Sequence, residues 1–229
     1  MATTKRTPAP GEADKLIAHQ ARLLKAPRIA AHFHRLAEQG RASNWSLEDY
    51  LGAVLAVESN ARAESGARQR IRYAGFPAIK TITDFDFTAQ PAVDRAQIAR
   101  LEGGGWLAEA RNIVLLGPPG TGKTHLATAL AIAAAHAGHR VAFAPATGWI
   151  TRLAEAHRID RLDAELRKIS RYGLVVIDEV GYIPFDTEAA NLFFQLVSTR
   201  YEKSSIILTS NLPFSRGDRS LVKPPSPRQ

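Results

Sequence analysis

The sequence of 229 residues contains no cysteine. It therefore cannot form a disulfide framework, and it cannot hold a metal ion through thiolates. Residues 1–10 are polar and lack the apolar core of a signal peptide. The longest apolar run, residues 126–135, is interrupted by Thr128 and is too short to cross a bilayer. These absences predict a cytoplasmic protein without a membrane segment.

Acidic residues are in the minority, and the formal net charge at pH 7 is +8. Residues 1–80 hold 13 Lys and Arg against 7 Asp and Glu, so most of the excess positive charge lies in the first part of the chain. This excess permits a polyanionic partner without establishing one. A basic cluster lies at the C-terminal end of a predicted long helix and consists of Arg62, Arg68, Arg70 and Arg72. It is either a solvated helix face or an arm that contacts phosphate groups.

A glycine-rich run at residues 117–124 fits the phosphate-binding loop pattern G-x-x-x-x-G-K-[ST]. Residues 112–116 before it are apolar and β-branched, which is typical of a buried strand, and the alanine-rich residues 125–135 after it indicate a helix. In this context backbone amides and the helix N-terminus surround phosphate groups. Lys123 would reach the β- and γ-phosphates, and the Thr124 hydroxyl would bind Mg²⁺. The run predicts binding of a nucleoside triphosphate.

Polar residues follow two further apolar runs. Residues 174–177 are followed by Asp178, which would hold Mg²⁺ through water, and by Glu179, which would polarise the attacking water. Asn211 follows the run at residues 206–208 and could orient that water, because strand C-termini line the ligand crevice of a parallel sheet. The alternative for Asn211 is a turn-capping role before Pro213.

Strands and helices alternate through the second half of the chain. Strands are predicted at residues 112–116, 140–144, 174–177 and 205–209, with helices between them. This alternation predicts an α/β fold with a parallel sheet covered on both faces. The predicted domains are a disordered N-terminus (1–13), a helical domain (14–75) with a capping box at Ser46 and Asp49, a connector (76–93), an ATPase core (94–215) and a disordered tail (216–229).

These motifs resemble those of the AAA+ ATPases, with residues 117–124 as Walker A, Asp178 and Glu179 as Walker B, and Asn211 at the sensor-1 position. Further runs resemble the IstB-like family of ATP-binding helper proteins of insertion-sequence transposition, which is related to the helicase loader DnaC. The resemblance covers roughly residues 14–215 and is carried by residues 76–77, 83–87, 117–127, 199–202 and 207–211. It assigns ATP binding to Gly117, Pro118, Pro119, Gly120, Thr121, Gly122, Lys123, Thr124 and His125.

The resemblance implies a P-loop ATPase core preceded by a small helical domain that contacts a partner protein or a neighbouring subunit. It also implies an ATP-dependent homo-oligomer that binds and remodels duplex DNA and stimulates a transposase, with ATP and Mg²⁺ as ligands. Lys123, Glu179 and Asn211 are the implied catalytic residues, and Thr124 and Asp178 the implied metal ligands. In related initiators and loaders, helices that correspond to residues 147–172 face DNA. Here six basic and four acidic residues interleave in that segment, so a salt-bridged solvated face is equally compatible.

Three functions remain compatible with these motifs. The leading one is a transposition-helper ATPase, and the runner-up is a DnaC-like loader of a replicative helicase. A non-hydrolysing, nucleotide-dependent interaction module is the third, although it would not require Glu179. Arg200 either has a role matched in the family or complements the charge at the end of its own helix.

The sequence departs from the family pattern after Arg216. Residues 217–229 contain three prolines near their end and few apolar side chains, which predicts a disordered tail. The helix, arginine and final strand that a family member is expected to have next are not recognisable. The interpretation is a C-terminal truncation, through a reading-frame shift or as a short natural form. Its expected consequences are an exposed apolar edge at residues 113–116, weak hydrolysis and a weakened homo-oligomer.

Overall fold

The computed structural model describes residues 11–182 and 186–211. The chain divides into two compact units between Gly66 and Ala67. The domain limits derived from the sequence stay predictions. The predicted tail at residues 216–229 lies outside the described residues, as do the first ten residues of the predicted disordered N-terminus.

Helices α1 (Glu12–Leu23) and α2 (Pro27–Ala42) and most of α3 (Leu47–Tyr73) form the first unit. The start of α3 is held by the predicted capping box. The Ser46 hydroxyl accepts a hydrogen bond from the Asp49 amide, and the Asp49 carboxylate accepts one from the Ser46 amide. The centre of this unit is apolar and contains the buried side chains of Phe33, Leu36 and Val54.

In the second unit helices and strands alternate. The helices that follow α3 are α4 (Arg95–Glu102), α5 (Gly105–Ala108), α6 (Lys123–His136), α7 (Ala146–Arg158), α8 (Leu162–Ile169) and α9 (Thr187–Ser198). The strands are β1 (Ile113–Leu116), β2 (Val141–Pro145), β3 (Leu174–Asp178) and β4 (Ser205–Ser210). The four predicted strands are confirmed to within one residue at each end. The short α5 was not predicted, because a four-residue helix is too short to show a period.

The strands in the described part of the chain form one parallel sheet in the order β1-β4-β3-β2. This confirms the predicted α/β fold with a parallel sheet. Among the described residues, β1 lies at one edge and pairs with β4. Its side chains Val114 and Leu116 are 43% and 40% exposed, whereas Ile113 is buried. The expected exposed edge along residues 113–116 stays a prediction.

Helices cover both faces of the sheet. Successive side chains of a strand point to opposite faces. In β3, Val175 and Ile177 lie in a buried cluster with residues of α7 and α9, whereas Leu174 and Val176 lie in a second cluster with residues of α6. A continuous apolar run is therefore required, as in other strands that are buried on both sides. By the same alternation, Asp178 at the end of β3 points toward α6.

Within residues 11–182 and 186–211, every helix is too short or too polar to serve as a membrane span.

Candidate nucleotide site

The phosphate loop joins β1 to the first residue of α6. Gly120 and Gly122 have φ values of +80° and +81°, in the left-handed region that glycine adopts without steric cost. Gly122 caps the N-terminus of α6, whose first amides have no partner within the helix. A Cβ atom at Gly122 would also lie 2.5 Å from Cε2 of Phe85. Backbone conformation and close packing therefore both explain the glycine at position 122.

Lys123 turns back over this loop. Its Nζ donates hydrogen bonds to the carbonyl oxygens of Gly117 and Pro118, both at 2.7 Å. Partial burial lowers the pKa of Lys123, and the nearby carboxylates of Asp178 and Glu179 oppose that shift. The structure thus holds a cation within the loop, at the place where the sequence pattern predicts phosphate oxygens.

Asp178 accepts hydrogen bonds from two threonines. Oγ1 of Thr124 lies 3.0 Å from Oδ1 and 2.9 Å from Oδ2 of the carboxylate. Oγ1 of Thr209, on β4, donates to Oδ1 at 2.5 Å. Asp178 is 6% exposed and Thr209 is 1% exposed. Thr209 was not predicted as a site residue, because a threonine within a strand has no pattern that marks it as functional.

Glu179 follows Asp178 with a φ of +60°. This left-handed conformation costs a residue with a Cβ about 1–2 kcal/mol. The backbone amide of Glu179 donates to Oγ1 of Thr209 at 2.8 Å, which supports the turn. The Glu179 side chain is exposed, in contrast to the buried Asp178, so the two neighbouring carboxylates have different surroundings.

A cavity of about 330 Å³ brings most of the predicted site residues together. Its lining consists of Lys80, Pro119, Gly120, Gly122, Lys123, Thr124, His125, Glu179, Thr209 and Asn211. Lys80 was not predicted as a site residue. A second groove of about 380 Å³ follows β1 and contains the remaining loop residues Gly117, Pro118 and Thr121, together with Lys123.

The donor set around Asp178 fits Mg²⁺. The side-chain groups that meet there include the carboxylate of Asp178 and the hydroxyl of Thr124, both of which are oxygen ligands. Mg²⁺ prefers oxygen and is commonly held by one or two carboxylates together with substrate phosphates and waters. Thr124 and Asp178 are therefore suited to the metal role expected from the sequence.

His125 connects α6 to the segment that precedes α4. Its Nε2 lies 2.8 Å from the carbonyl oxygen of Thr81. Its ring lies edge-on to the ring of Phe85, with 5.3 Å between the two ring centroids. The segment is itself held by a capping box, in which the Thr81 hydroxyl and amide donate to the Asp84 carboxylate and lower its pKa. Residues 81–85 thus pack against the start of α6, beside the cavity.

Arg200 lies in the protein interior and is 1% exposed. Its guanidinium donates to the carbonyl oxygens of Ile169, at the end of α8, and of Tyr172 and Ser205. Burial lowers the pKa of Arg200 to about 10, which leaves it protonated at neutral pH. The expectation that Arg200 complements the end of its own helix is wrong, because its side chain reaches across to α8 and to the start of β4.

Some of the basic residues considered for DNA contact are engaged within the protein. In α7 and α8, Arg152 pairs with Glu165 and Arg158 pairs with Glu155. In the basic end of α3, Arg70 donates to the carbonyl oxygen of Ala135. The exposed basic residues of the segment at residues 147–172 include Arg161, Arg167 and Arg171. A role in DNA contact therefore stays a prediction for these residues.

The parallel sheet and the loop between β1 and α6 are those of the AAA+ class of P-loop proteins. Among solved structures, AMPPCP-bound DnaA from Aquifex aeolicus matches with a TM-score of 0.53 and 22% identity over 65% of this chain and 47% of DnaA. DnaI matches with a TM-score of 0.52 and 18% identity over 67% of this chain and 80% of DnaI. This chain thus spans less than half the length of DnaA. Identities this low show a shared fold.

Within that class, the chain belongs to the IstB-like ATP binding protein family, whose model matches residues 19–224. The match extends past residue 215, where the resemblance was expected to end. A Pseudomonas aeruginosa protein named for ATP binding in insertion sequence IS21 is 42% identical over 192 residues, which cover 84% of this chain and 72% of that protein. A similarly named protein of insertion sequence IS232 from Bacillus thuringiensis subsp. berliner is 35% identical over 88% of this chain and 80% of its own length.

Proposed function

We propose that this protein is an ATPase that assists insertion-sequence transposition. It binds ATP with Mg²⁺, assembles on duplex DNA as a homo-oligomer and stimulates a transposase. The observation that carries the ATPase proposal is the hydrogen bond between Thr124, after the loop lysine, and Asp178, before the exposed Glu179. The names of the relatives, which refer to ATP binding in insertion sequences, support the biological setting.

In the proposed complex the phosphate loop holds the triphosphate. The amides at the start of α6 donate to phosphate oxygens, and the Lys123 ammonium exchanges its two loop carbonyl partners for the β- and γ-phosphates. Residues 80, 119 and 125 line the same cavity and contact the rest of the nucleotide. The positive charge of Lys123 offsets part of the negative charge of the triphosphate, so its removal weakens binding.

Thr124 and Asp178 hold the metal ion in this proposal. Mg²⁺, when bound, neutralises charge on the β- and γ-phosphate oxygens during phosphoryl transfer. The Thr124 hydroxyl offers a lone pair to the ion, and the Asp178 carboxylate accepts hydrogen bonds from water in the ion's coordination shell. Both side chains already lie within hydrogen-bond distance of each other, so little rearrangement is required.

Glu179 and Asn211 act on the attacking water. Both line the cavity with the loop residues. The water oxygen forms a bond to the γ-phosphorus while the Glu179 carboxylate accepts a proton from that water. At the same time the bond between the γ-phosphorus and the β-phosphate oxygen breaks, and ADP leaves. The Asn211 side-chain amide orients the water or the γ-phosphate. Glu179 is suited to the base role because its side chain is exposed to the cavity, whereas Asp178 is buried beneath it.

The test is ATP hydrolysis and ATP binding by the purified protein, with and without duplex DNA. Lys123→Ala should lose binding and hydrolysis together. Glu179→Gln keeps the shape of the side chain and should retain binding while hydrolysis falls about 10²- to 10⁴-fold, the usual contribution of a general base. Hydrolysis that persists in both variants would contradict the proposal. Nucleotide binding without turnover, with or without DNA, would instead favour a non-hydrolysing interaction module.

The partner requires a separate experiment, because a helicase loader would share this core. Immobilised protein loaded with ATP is offered an insertion-sequence transposase and a replicative helicase. Retention of the transposase together with duplex DNA supports the proposed function. Retention of the helicase alone supports the loader alternative.

A further inference from the structure

Asp178 and Thr209 lie side by side on neighbouring strands. Ile177 of β3 is paired with Leu208 of β4 in the parallel register, so the next residues of both strands are adjacent and point to the same face. Two residues earlier on each strand the side chains pack toward α6. Asp178 and Thr209 therefore also point to the α6 side, where the Thr209 hydroxyl reaches Oδ1 of the carboxylate at 2.5 Å.

The chemistry of the partners determines the direction of both Thr209 hydrogen bonds. An ionised carboxylate can only accept, and a backbone amide can only donate. The Thr209 hydroxyl therefore donates to Asp178 and accepts from the amide of Glu179, which lies 2.8 Å away. Its single proton is committed to Asp178. Thr209 is 1% exposed, so water has little access to replace either bond.

The same hydroxyl thus contacts two groups with different tasks in the proposed ATPase. Through Oδ1 it holds the Asp178 carboxylate in an orientation in which Thr124 lies close to both carboxylate oxygens. Through the amide of Glu179 it supports a left-handed turn, with a φ of +60°, that directs the Glu179 side chain away from the sheet and toward the cavity. An isolated change at Thr209 would disturb both.

We propose that Thr209 is a positioning residue of the Mg²⁺–nucleotide site, which sets Asp178 and Glu179 relative to each other through one hydroxyl group. This inference rests on the proposed ATPase function for its kinetic test. The test by AMPPCP binding depends only on nucleotide binding. In this proposal Thr209 acts through the two carboxylate residues.

The experiment compares three variants of the full chain. Thr209→Val keeps the branched shape that suits a strand but lacks the hydroxyl, and Thr209→Ser keeps the hydroxyl. Ser205→Ala is the matched control, because Ser205 lies at the other end of β4, is fully buried, and has a hydroxyl without a hydrogen-bond partner among the described residues. Thermal unfolding, kcat, KM for ATP, the half-saturating Mg²⁺ concentration and the Kd for AMPPCP with and without Mg²⁺ are measured for each.

Thr209→Val is expected to lower kcat about 10- to 100-fold and to raise the half-saturating Mg²⁺ concentration, in the range typical for partners that orient metal ligands. KM for ATP should stay near that of the unmodified protein, and Thr209→Ser should recover most of the activity. Ser205→Ala should resemble the unmodified protein. Unchanged kcat in Thr209→Val, an equal loss in Ser205→Ala, or a Thr209→Ser variant as impaired as Thr209→Val would overturn the inference.

Failure of the proposed function is distinguishable from failure of this inference. If the unmodified protein binds AMPPCP but shows no hydrolysis that depends on Lys123, the ATPase proposal is wrong. The inference is then decided by the gain in AMPPCP affinity on addition of Mg²⁺. A positioning role is supported if Mg²⁺ no longer increases the AMPPCP affinity of Thr209→Val but still increases that of Thr209→Ser. An increase in Thr209→Val equal to that of the unmodified protein contradicts the role.

Discussion

The Thr124 hydroxyl lies 3.0 Å from Oδ1 and 2.9 Å from Oδ2 of Asp178, although 54 residues separate the two in sequence. Thr124 belongs to the first turn of α6, and Asp178 is the last residue of β3. Their contact exists because α6 packs on the face of the sheet toward which the end of β3 points. The candidate site is therefore a product of helix–sheet packing.

Removal of the Thr124 hydroxyl should weaken the response of the protein to Mg²⁺. We expect Thr124→Val to reduce the Mg²⁺-dependent part of ATP affinity by at least about tenfold, because one oxygen ligand is lost. Affinity without Mg²⁺ should change little. Nucleotide titrations at several Mg²⁺ concentrations measure both quantities.

Thr151→Val is the control for Thr124→Val. Thr151 is exposed on α7, and its hydroxyl bonds only to the helix backbone in the contacts described for it. A similar loss of Mg²⁺ response in both variants would contradict a specific role for Thr124.

Alanine substitutions at two glycines of the phosphate loop distinguish the effect of backbone strain from that of side-chain packing. Gly120→Ala and Gly122→Ala both place a Cβ on a residue with φ near +80°, at a cost of about 1–2 kcal/mol. Only at Gly122 does the new atom collide with a side chain, since Phe85 lies 2.5 Å from it, whereas Gly120 has open space. Phe85 is itself buried and cannot move away freely.

We therefore expect Gly122→Ala to lower the unfolding temperature and the ATP affinity more than Gly120→Ala does. The comparison uses thermal unfolding and nucleotide titration of both variants in parallel. Equal effects would show that the contact with Phe85 has no energetic importance.

Arg200→Lys should destabilise the second unit although it preserves the charge. The guanidinium donates to three carbonyl oxygens at once, in two buried hydrogen bonds and one partly buried one, and a lysine ammonium cannot reproduce that planar geometry. We expect a loss of about 3 kcal/mol in the free energy of unfolding, since each buried acceptor left without a donor costs about 1–3 kcal/mol. Urea unfolding measures the loss as a lower midpoint.

Arg167→Lys is the matched substitution on the surface, because Arg167 is exposed on α8. It should leave the free energy of unfolding within about 0.5 kcal/mol of that of the unmodified protein, as is usual for surface positions. A midpoint for Arg200→Lys that equals that of Arg167→Lys would refute the structural role of Arg200.

The capping box at Thr81 should make stability depend on pH through Asp84. Hydrogen bonds from the Thr81 hydroxyl and amide lower the pKa of Asp84 below its ordinary value of 3.8. A carboxylate with a lowered pKa contributes stability that is fully present above pH 3.8 and is lost as the pH falls through the pKa of the folded state. The window of change therefore lies below pH 3.8.

Asp84→Asn tests this, because asparagine resembles a protonated aspartic acid in size and charge. The variant should be less stable than the unmodified protein at pH 7, and the difference should shrink below pH 3.8. Unfolding midpoints at pH 7 and pH 3 provide the comparison. A difference of the same size at both pH values would mean that the charge of Asp84 has no part in the capping box.

Local patterns in the sequence predicted much of the fold. The loop at residues 117–124 and the capping box at Ser46 and Asp49 are recognisable because all their interacting atoms lie within a few residues. Strands such as β3 are recognisable because burial on both faces demands a continuous apolar run. Asp178 and Glu179 are recognisable as candidate site residues because they are charged residues at the end of such an apolar run.

The sequence by itself determined the parallel α/β class, the position of the phosphate loop and the acidic end of β3, since each follows from short-range pattern. Only the tertiary structure decided that Thr209 bonds to both Asp178 and Glu179, because that contact depends on the register of β4 beside β3. It also decided that Arg200 is buried against the end of α8. Contacts between residues far apart in sequence have no local pattern, and they arise when hydrophobic packing brings the elements together.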